Sequence, residues 1–410
     1  MLGRYVLALI AIFLCSTLAW IILGASIFAR THDAGSGLAP AVESAWGAPQ
    51  EQTPPEASTS QTVQRTPTTS EVVTTVLPVE RSRVRVAFDL DQRQKGLLWF
   101  ATYRVDFRGD YVVRNTTPSD GVTINFVFPA PEAIYDNLVL RVDGQPVPTT
   151  VGKGCVTAVV RRPPGSLIRI ESGYKSQGLG TWKYSFGKDV SQIHDFILEM
   201  HTNFRAIDFP QGSLSPTIKK QTPNGWLLTW KYANVVSGYG IGMVMPEKLQ
   251  PGPLAGRISM FAPVSLLFFF FFMFVITTLR KIELHPMHYF FLATSFFAFH
   301  LLLAYLVDHV SIHAAFVICS AVSIFLVVSY LRVVVNARFA WREAALSQFV
   351  YLVLFSYAFF FKGFTGLAIT IGAIVSLFAA MQMTARVPWG ATPSARPESL
   401  RVDSSLFPQV

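Results

Sequence analysis

Charge is scarce in this 410-residue chain. Asp, Glu, Lys and Arg together make up 14% of it, against about a quarter in soluble domains. Apolar residues reach 51% and mean hydropathy is +0.39, which excludes a wholly soluble protein. Cysteine is scarcer still, with only Cys15, Cys155 and Cys319. The first and last fall in apolar runs, so Cys155 stands alone in the polar part of the chain. That excludes a disulfide framework there, and no Cys/His zinc spacing exists. The polar part must fold on its own apolar core, which about 180 residues can supply. No G-x-S-x-G, H-E-x-x-H, P-loop or S-x-x-K with a plausible base occurs. The apolar runs contain no carboxylate relay of the kind that proton-coupled carriers need, nor a Ser–His pair, paired aspartates or H-E-x-x-H for intramembrane proteolysis.

Long hydrophobic stretches dominate what is present. Residues 5–29 carry no charge and are long enough to cross about 30 Å of hydrocarbon as a helix. The run exceeds a usual signal-peptide core, and neither Ala25 nor Ala29 ends a convincing cleavage site. An uncleaved anchor over 1–30 is the expectation. Five further runs, 259–279, 288–307, 312–335, 344–361 and 363–384, are each 18 to 24 residues long. They predict a five-helix transmembrane bundle over 258–387.

Residues 31–78 are rich in Pro, Ser, Thr, Ala and Gln, and the composition predicts a disordered linker. Residues 388–410 predict a disordered tail on the same grounds. Between them, 79–257 breaks into short alternating segments such as RVRVAFDL, VTINFVF and LVLRV, punctuated by Gly, Pro, Asp and Asn. Nine or ten strands at this spacing predict an exported, all-β antiparallel sandwich. Asp143-Gly144 marks a hairpin. The expected fold is therefore six transmembrane helices plus this sandwich.

Basic residues set the expected topology. Arg4, Arg280, Lys281, Arg332, Arg338, Arg342, Arg386, Arg396 and Arg401 fall on one side of the spans, and Lys362 alone falls on the other. Both termini are expected in the cytoplasm and residues 31–257 outside it.

Few polar residues fall in or near the spans, so each is a candidate of unknown role. His300 is the one ionisable side chain deep in a span; a hydroxyl on a neighbouring helix is expected to satisfy it. Asp308, His309 and His313 crowd the outer link LVDHVSIH. The two histidines are four apart and would need a continuous helix to share a metal. A polar turn is expected, with Asp308 capping the following helix. His288 opens a span. No catalytic, cofactor-binding or metal-binding residue is assigned.

In the β-region, HDFILEMHTNF should place His194, Phe196, Leu198 and Met200 on one strand face. Asp195, Ile197, Glu199 and His201 then share the other, where Glu199 and His201 are read as surface polarity. Arg108-Gly109-Asp110 should form a tight turn. Residues 79–257 carry 22 Lys/Arg against 15 Asp/Glu, a balance that favours loose association with anionic surfaces.

LHPMHYFFLATSFFAFHLLLAYLVDHVSIHAAFVICSAVSIFLVVSYL (284–331), with ARVPWG after the last span, resembles the bacterial CreD family of inner-membrane proteins linked to cell-envelope integrity. The family's His-Tyr helix start corresponds to His288-Tyr289 and its acidic-His helix end to Asp308-His309. Its basic–Val–Asp–Trp element corresponds to Arg386-Val387-Pro388-Trp389, with Pro388 in place of the acidic residue. KGLLWFATYRVDF (95–107) also resembles a family segment. The resemblance implies an inner-membrane location and no established catalytic residues. The expected function is a non-enzymatic protein, without cofactor, that supports envelope integrity through a periplasmic β-domain. Alternatives are a membrane-bound sensor or partner-recruiting module, and an enzyme modifying envelope lipid or glycan. Expected partners are membrane lipids and envelope proteins or anionic envelope polymers, not nucleic acid.

Overall fold

The structure is a computed structural model, and it describes residues 2–66, 69–95, 98–187, 191–361 and 363–385. Two compact units result: Met1–Ala25 with Leu254–Val410, and Ser26–Pro253. Six helices are long and apolar enough to cross a membrane, as the apolar runs predict. They are α1 (Leu2–Trp46), α2 (Pro251–Leu279), α3 (Pro286–Leu306), α4 (Ile312–Val334), α5 (Ala337–Phe360) and α6 (Thr365–Thr384). Short polar residues start three of them by accepting a backbone N–H. His285 accepts from Met287 ahead of α3, Ser311 from Ala314 ahead of α4, and Asn336 from Phe339 ahead of α5. Helix α5 is the least regular, with π-helical turns at Ala340–Ala344 and Phe349–Leu354.

The second unit is built on an eight-stranded sheet. In chain order its strands are β1 (Val79–Leu90), β2 (Thr102–Arg114), β3 (Tyr135–Val142), β4 (Gln145–Pro146), β5 (Leu167–Leu179), β6 (Ser191–Thr202), β7 (Ile218–Gln221) and β8 (Trp226–Ser237). Their spatial order is β4-β3-β5-β2-β1-β6-β8-β7. All neighbours are antiparallel except β1 and β6, which run parallel. Strands β3 and β4 meet at Asp143-Gly144, where both residues have positive φ, 50° and 78°. That geometry fits a two-residue hairpin turn and bears out the sequence signal.

A five-stranded sheet covers the apolar face of the large one, in the order Thr149–Gly152, Cys155–Arg161, Gly121–Val127, Glu56–Thr66, Thr69–Val76. Alternation buries Val84, Val86 and Phe88 from β1 against Val122, Ile124 and Phe126 from the cover. Phe107 stacks on Tyr174 at 5.1 Å, and Phe126 approaches both at 6.4 and 6.2 Å. Two buried polar groups pair within this core: Tyr111 Oη lies 3.2 Å from Tyr184 Oη, and Trp230 Nε1 donates to the Leu214 carbonyl at 2.8 Å. The antiparallel β-fold is as expected.

The linker reading is corrected. Residues 31–46 continue α1, and Gln50–Gln52, Glu56–Thr66 and Thr69–Val76 are strands. Composition misled because the ordering residues are few and widely spaced. Thr31, Ala34, Leu38, Val42 and Trp46 recur at helical spacing on the less exposed side of α1, and Val42 is fully buried. Lys95 Nζ donates to the Ala41 carbonyl at 3.0 Å, and the Arg93 guanidinium lies 5.3 Å from the Trp46 ring. Gln50 is buried and donates from Nε2 to the Gln177 carbonyl at 2.8 Å and to Ser176 Oγ at 3.0 Å. Buried amides and Ala57 thus replace the large aliphatic residues the composition lacks. The expected disordered tail, 388–410, and the basic residues Lys362, Arg386, Arg396 and Arg401 lie outside the described residues.

Candidate functional site

Arg108-Gly109-Asp110 is not a turn; it lies in the middle of the 13-residue strand β2. Gly109 faces the core, where a Cβ would collide with the Tyr111 ring. Glycine is therefore required for packing, and the two charged residues beside it project from the opposite face. The same parity puts the charges of β1, β5 and β6 on that outer face. There they form a groove of about 930 Å³.

Strand register arranges the groove in rows. One row reads Arg141, Glu171, Asp110, Arg83 across β3, β5, β2 and β1. The next reads Val139, Gly173, Arg108, Arg85, Glu199 across β3, β5, β2, β1 and β6. A third pairs Lys175 with Asp106. Ion pairs knit the rows together. Arg169 grips Asp110 with two nitrogens, at 2.5 and 3.1 Å, and Arg83 reaches Asp195 at 2.7 Å. Asp110 beside Arg169 raises the guanidinium pKa above its ordinary value. At the sheet margin, the hydrogen bond from Arg114 holds Glu80 below the usual carboxylate range.

Two arginines are held less tightly. Arg85 is 3.5 Å from Glu199 and its side chain is 78% exposed; Arg108 is 3.3 Å from Asp106 and 74% exposed. They face each other across β1 and β2. Arg141 has no ion pair among the described residues. Glu199 does share a face with His201, as alternation predicts, but its contact is Arg85. His194 departs from the predicted parity: it is exposed, because Asp195, at φ 37°, drops out of the β6–β8 register.

The candidate residues of the helical unit are dispersed. His300 is fully buried, and its Nδ1 lies 2.9 Å from the Phe296 carbonyl of its own helix. A carbonyl only accepts, so Nδ1 carries the proton and Nε2 keeps a lone pair. The backbone, not the expected neighbouring hydroxyl, provides that bond. Among the described residues Nε2 has no partner, nor does the indole N–H of Trp20, whose ring lies 5.5 Å from the imidazole. His288 Nδ1 meets Tyr330 Oη at 2.7 Å.

Helix α3 stops at Leu306 and α4 starts at Ile312, so His309 and His313 are not on one helical face. His309 is exposed, and the exposed His313 ring packs 5.2 Å from Phe360. Ser311, rather than Asp308, caps α4. Asp308 is half-buried in the turn, its N–H donating to the Tyr305 carbonyl at 3.3 Å. No group of three His, Cys, Asp or Glu among the described residues is placed to hold a metal.

Sequence reading missed the uncharged connections of the bundle. Gln348 Nε2 donates to Ser323 Oγ at 2.7 Å, and that hydroxyl donates to the Ser295 carbonyl at 2.8 Å, joining α5, α4 and α3. Arg280 pairs with Glu343, which sits in the first π-helical turn of α5. A buried glutamine flanked by serines at helical positions was the available signal.

The family model described as Inner membrane protein CreD matches residues 216–390. That match bears out the resemblance carried by the LHPMHY…SYL segment, and with six apolar helices it makes this a multi-pass inner-membrane protein. No curated protein matches the chain. Among solved structures, a protein described as nutrient binding from Legionella pneumophila aligns at 10% identity and TM-score 0.36, covering 61% of this chain and 84% of that one. An M1 zinc metallopeptidase from Deinococcus radiodurans aligns at 12% identity and TM-score 0.29, covering 41% of this chain and 42% of its own. Likenesses this loose carry no chemistry across.

Proposed function

We propose that this inner-membrane protein supports envelope integrity without catalysing a reaction, by presenting its β-domain on the periplasmic side. One observation carries the reading: the polar chemistry of the chain is concentrated on the groove face of the large sheet, as paired, exposed charges suited to binding. The basic-residue asymmetry supports the orientation, with both termini in the cytoplasm and residues 31–257 outside. Glu199 and His201 share a strand face, and the contact Glu199 makes is with Arg85 rather than with the imidazole.

Two measurements test this. An alkaline phosphatase fusion after Leu249 should be active and one after Arg386 inactive; the opposite pattern would overturn the orientation. Cells lacking the protein should take up envelope-excluded dyes faster, and a copy carrying Glu199→Gln and His201→Gln should restore the barrier. Unchanged permeability in the null cells would sink the envelope role. Failure of the double variant to restore the barrier, at normal protein level, would point to catalysis.

A further inference from the structure

Like charges directly opposite one another on neighbouring strands are destabilising. The groove nevertheless places Arg85 of β1 opposite Arg108 of β2. Each has one long contact to a carboxylate and keeps most of its guanidinium in solvent. The next position along the row, on β5, is Gly173, where a Cβ would press against the Phe107 carbonyl at 3.0 Å. Gly173 is itself buried, with Arg108 Cγ 3.6 Å from where its Cβ would stand, so the floor of the groove dips to a shallow notch beside Arg108, with Arg85 on the next strand and Val139 on the far side.

We propose that this notch is a binding site for the anionic group of an acidic sugar, a carboxylate or a phosphate, bridging Arg85 and Arg108. An anion between two forks removes their repulsion and takes up donors that the protein leaves unused. The remaining walls identify the rest of the ligand. Asp106, Glu171 and Glu199 line the same groove, so a dense polyanion such as a nucleic acid would meet repulsion from all three. Carboxylates do accept the hydroxyl protons of a sugar. Outward apolar side chains are too few to seat an acyl chain; Val139 and Ile197 are those in the rows. The groove volume, about 930 Å³, suits an oligosaccharide of a few rings.

The proposal rests on the reading of the β-domain as a binding module, and the two fail separately. Full-length protein in detergent is titrated at low salt with tetragalacturonate, glucose-1-phosphate and neutral maltotetraose, and tested for flotation with phosphatidylglycerol vesicles. The carboxylate and phosphate arms distinguish the two sources of the anion. At least one anionic sugar should bind, with affinity lowered tenfold or more in Arg85→Gln and in Arg108→Gln. Arg104→Gln, which removes the same charge from the same face beside Asp89, should change it less than threefold, and unfolding curves for all three should match the parent protein. Equal binding of maltotetraose, loss of affinity equally in Arg104→Gln, binding to vesicles alone, or no binding of either anionic sugar would overturn the site. A permeability defect in null cells alongside any of those results would leave the envelope role standing without this ligand.

Discussion

The outer face of the large sheet and the interior of the helical bundle handle polar groups in opposite ways. On the sheet, arginines and carboxylates stand in solvent, paired across strands, where each ion pair contributes little stability but remains available to a ligand. In the bundle, Ser320, Thr277 and His300 turn back onto carbonyls of their own helices, and Gln348 and Ser323 link neighbours. The first three spend their hydrogen bonds within their own helix, and of these contacts only Gln348–Ser323 joins two helices. The comparison teaches that polar side chains leave charge in solvent on the sheet and are turned onto backbone or neighbouring helices in the bundle.

The largest effect should come from the sandwich core. Trp182 is fully buried with Phe88 at 5.4 Å and Phe107 at 6.4 Å. Trp182→Ala should cost about 3–5 kcal/mol, read from denaturant unfolding of the β-signal by circular dichroism. A loss below about 1 kcal/mol would mean the core is packed otherwise.

Alkali should act next, on the β-domain. Burial raises the phenols of Tyr103, Tyr111, Tyr174 and Tyr184 above their ordinary value. Groups raised in the folded state stabilise fully below the unfolded value, about 10, and that stability is lost as pH climbs toward the folded values. Tyrosinate absorbance for these rings should appear together with loss of β-signal. Ionisation near pH 10 with the domain still folded would contradict their burial.

Within the bundle the contrast can be sharpened by two leucines. Gln348→Leu breaks the three-helix link and should cost about 0.6–1.7 kcal/mol. His300→Leu removes one bond to its own helix and a ring nitrogen with no partner among the described residues, and should cost less than Gln348→Leu, in unfolding from mixed detergent micelles. The reverse order would give His300 a partner absent from this structure.

The smallest effects belong to the link between α3 and α4. Ser311→Ala should cost about 1 kcal/mol for the lost cap, whereas Asp308→Ala, His309→Gln and His313→Gln should each stay within about 0.5 kcal/mol. Normal protein level with abolished envelope function in either histidine variant would reveal a site there.

Legibility in the sequence followed hydrophobic pattern. Six spans were readable because 18 or more apolar residues admit one interpretation, and strands such as Val79–Leu90 because their alternation is strict. The stretch 31–78 was misread because its order depends on contacts far along the chain: Gln50 with Ser176, and Glu56–Ser58 with Thr123–Asn125. No local window contains those partners. The groove was half visible. Glu199 and the charges flanking Gly109 could be seen, but only strand register sets Arg85 against Arg108.

The parallel contact between β1 and β6 also dictates an order of events. The chain is made from its N-terminus, yet β1, complete at Leu90 and paired on one side by β2, has its neighbour on the other side only when synthesis reaches Ser191–Thr202. Until then one edge of the growing sheet is bare, with its N–H and C=O groups open to a stray strand. Pairing at such sequence separation is slow, because the intervening loop must be closed before the contact stabilises anything. The alternating charges of RSRVR, at the start of β1, sit on that waiting edge and act as gatekeepers against aggregation. The same arginines that line the finished groove thus protect the unfinished sheet.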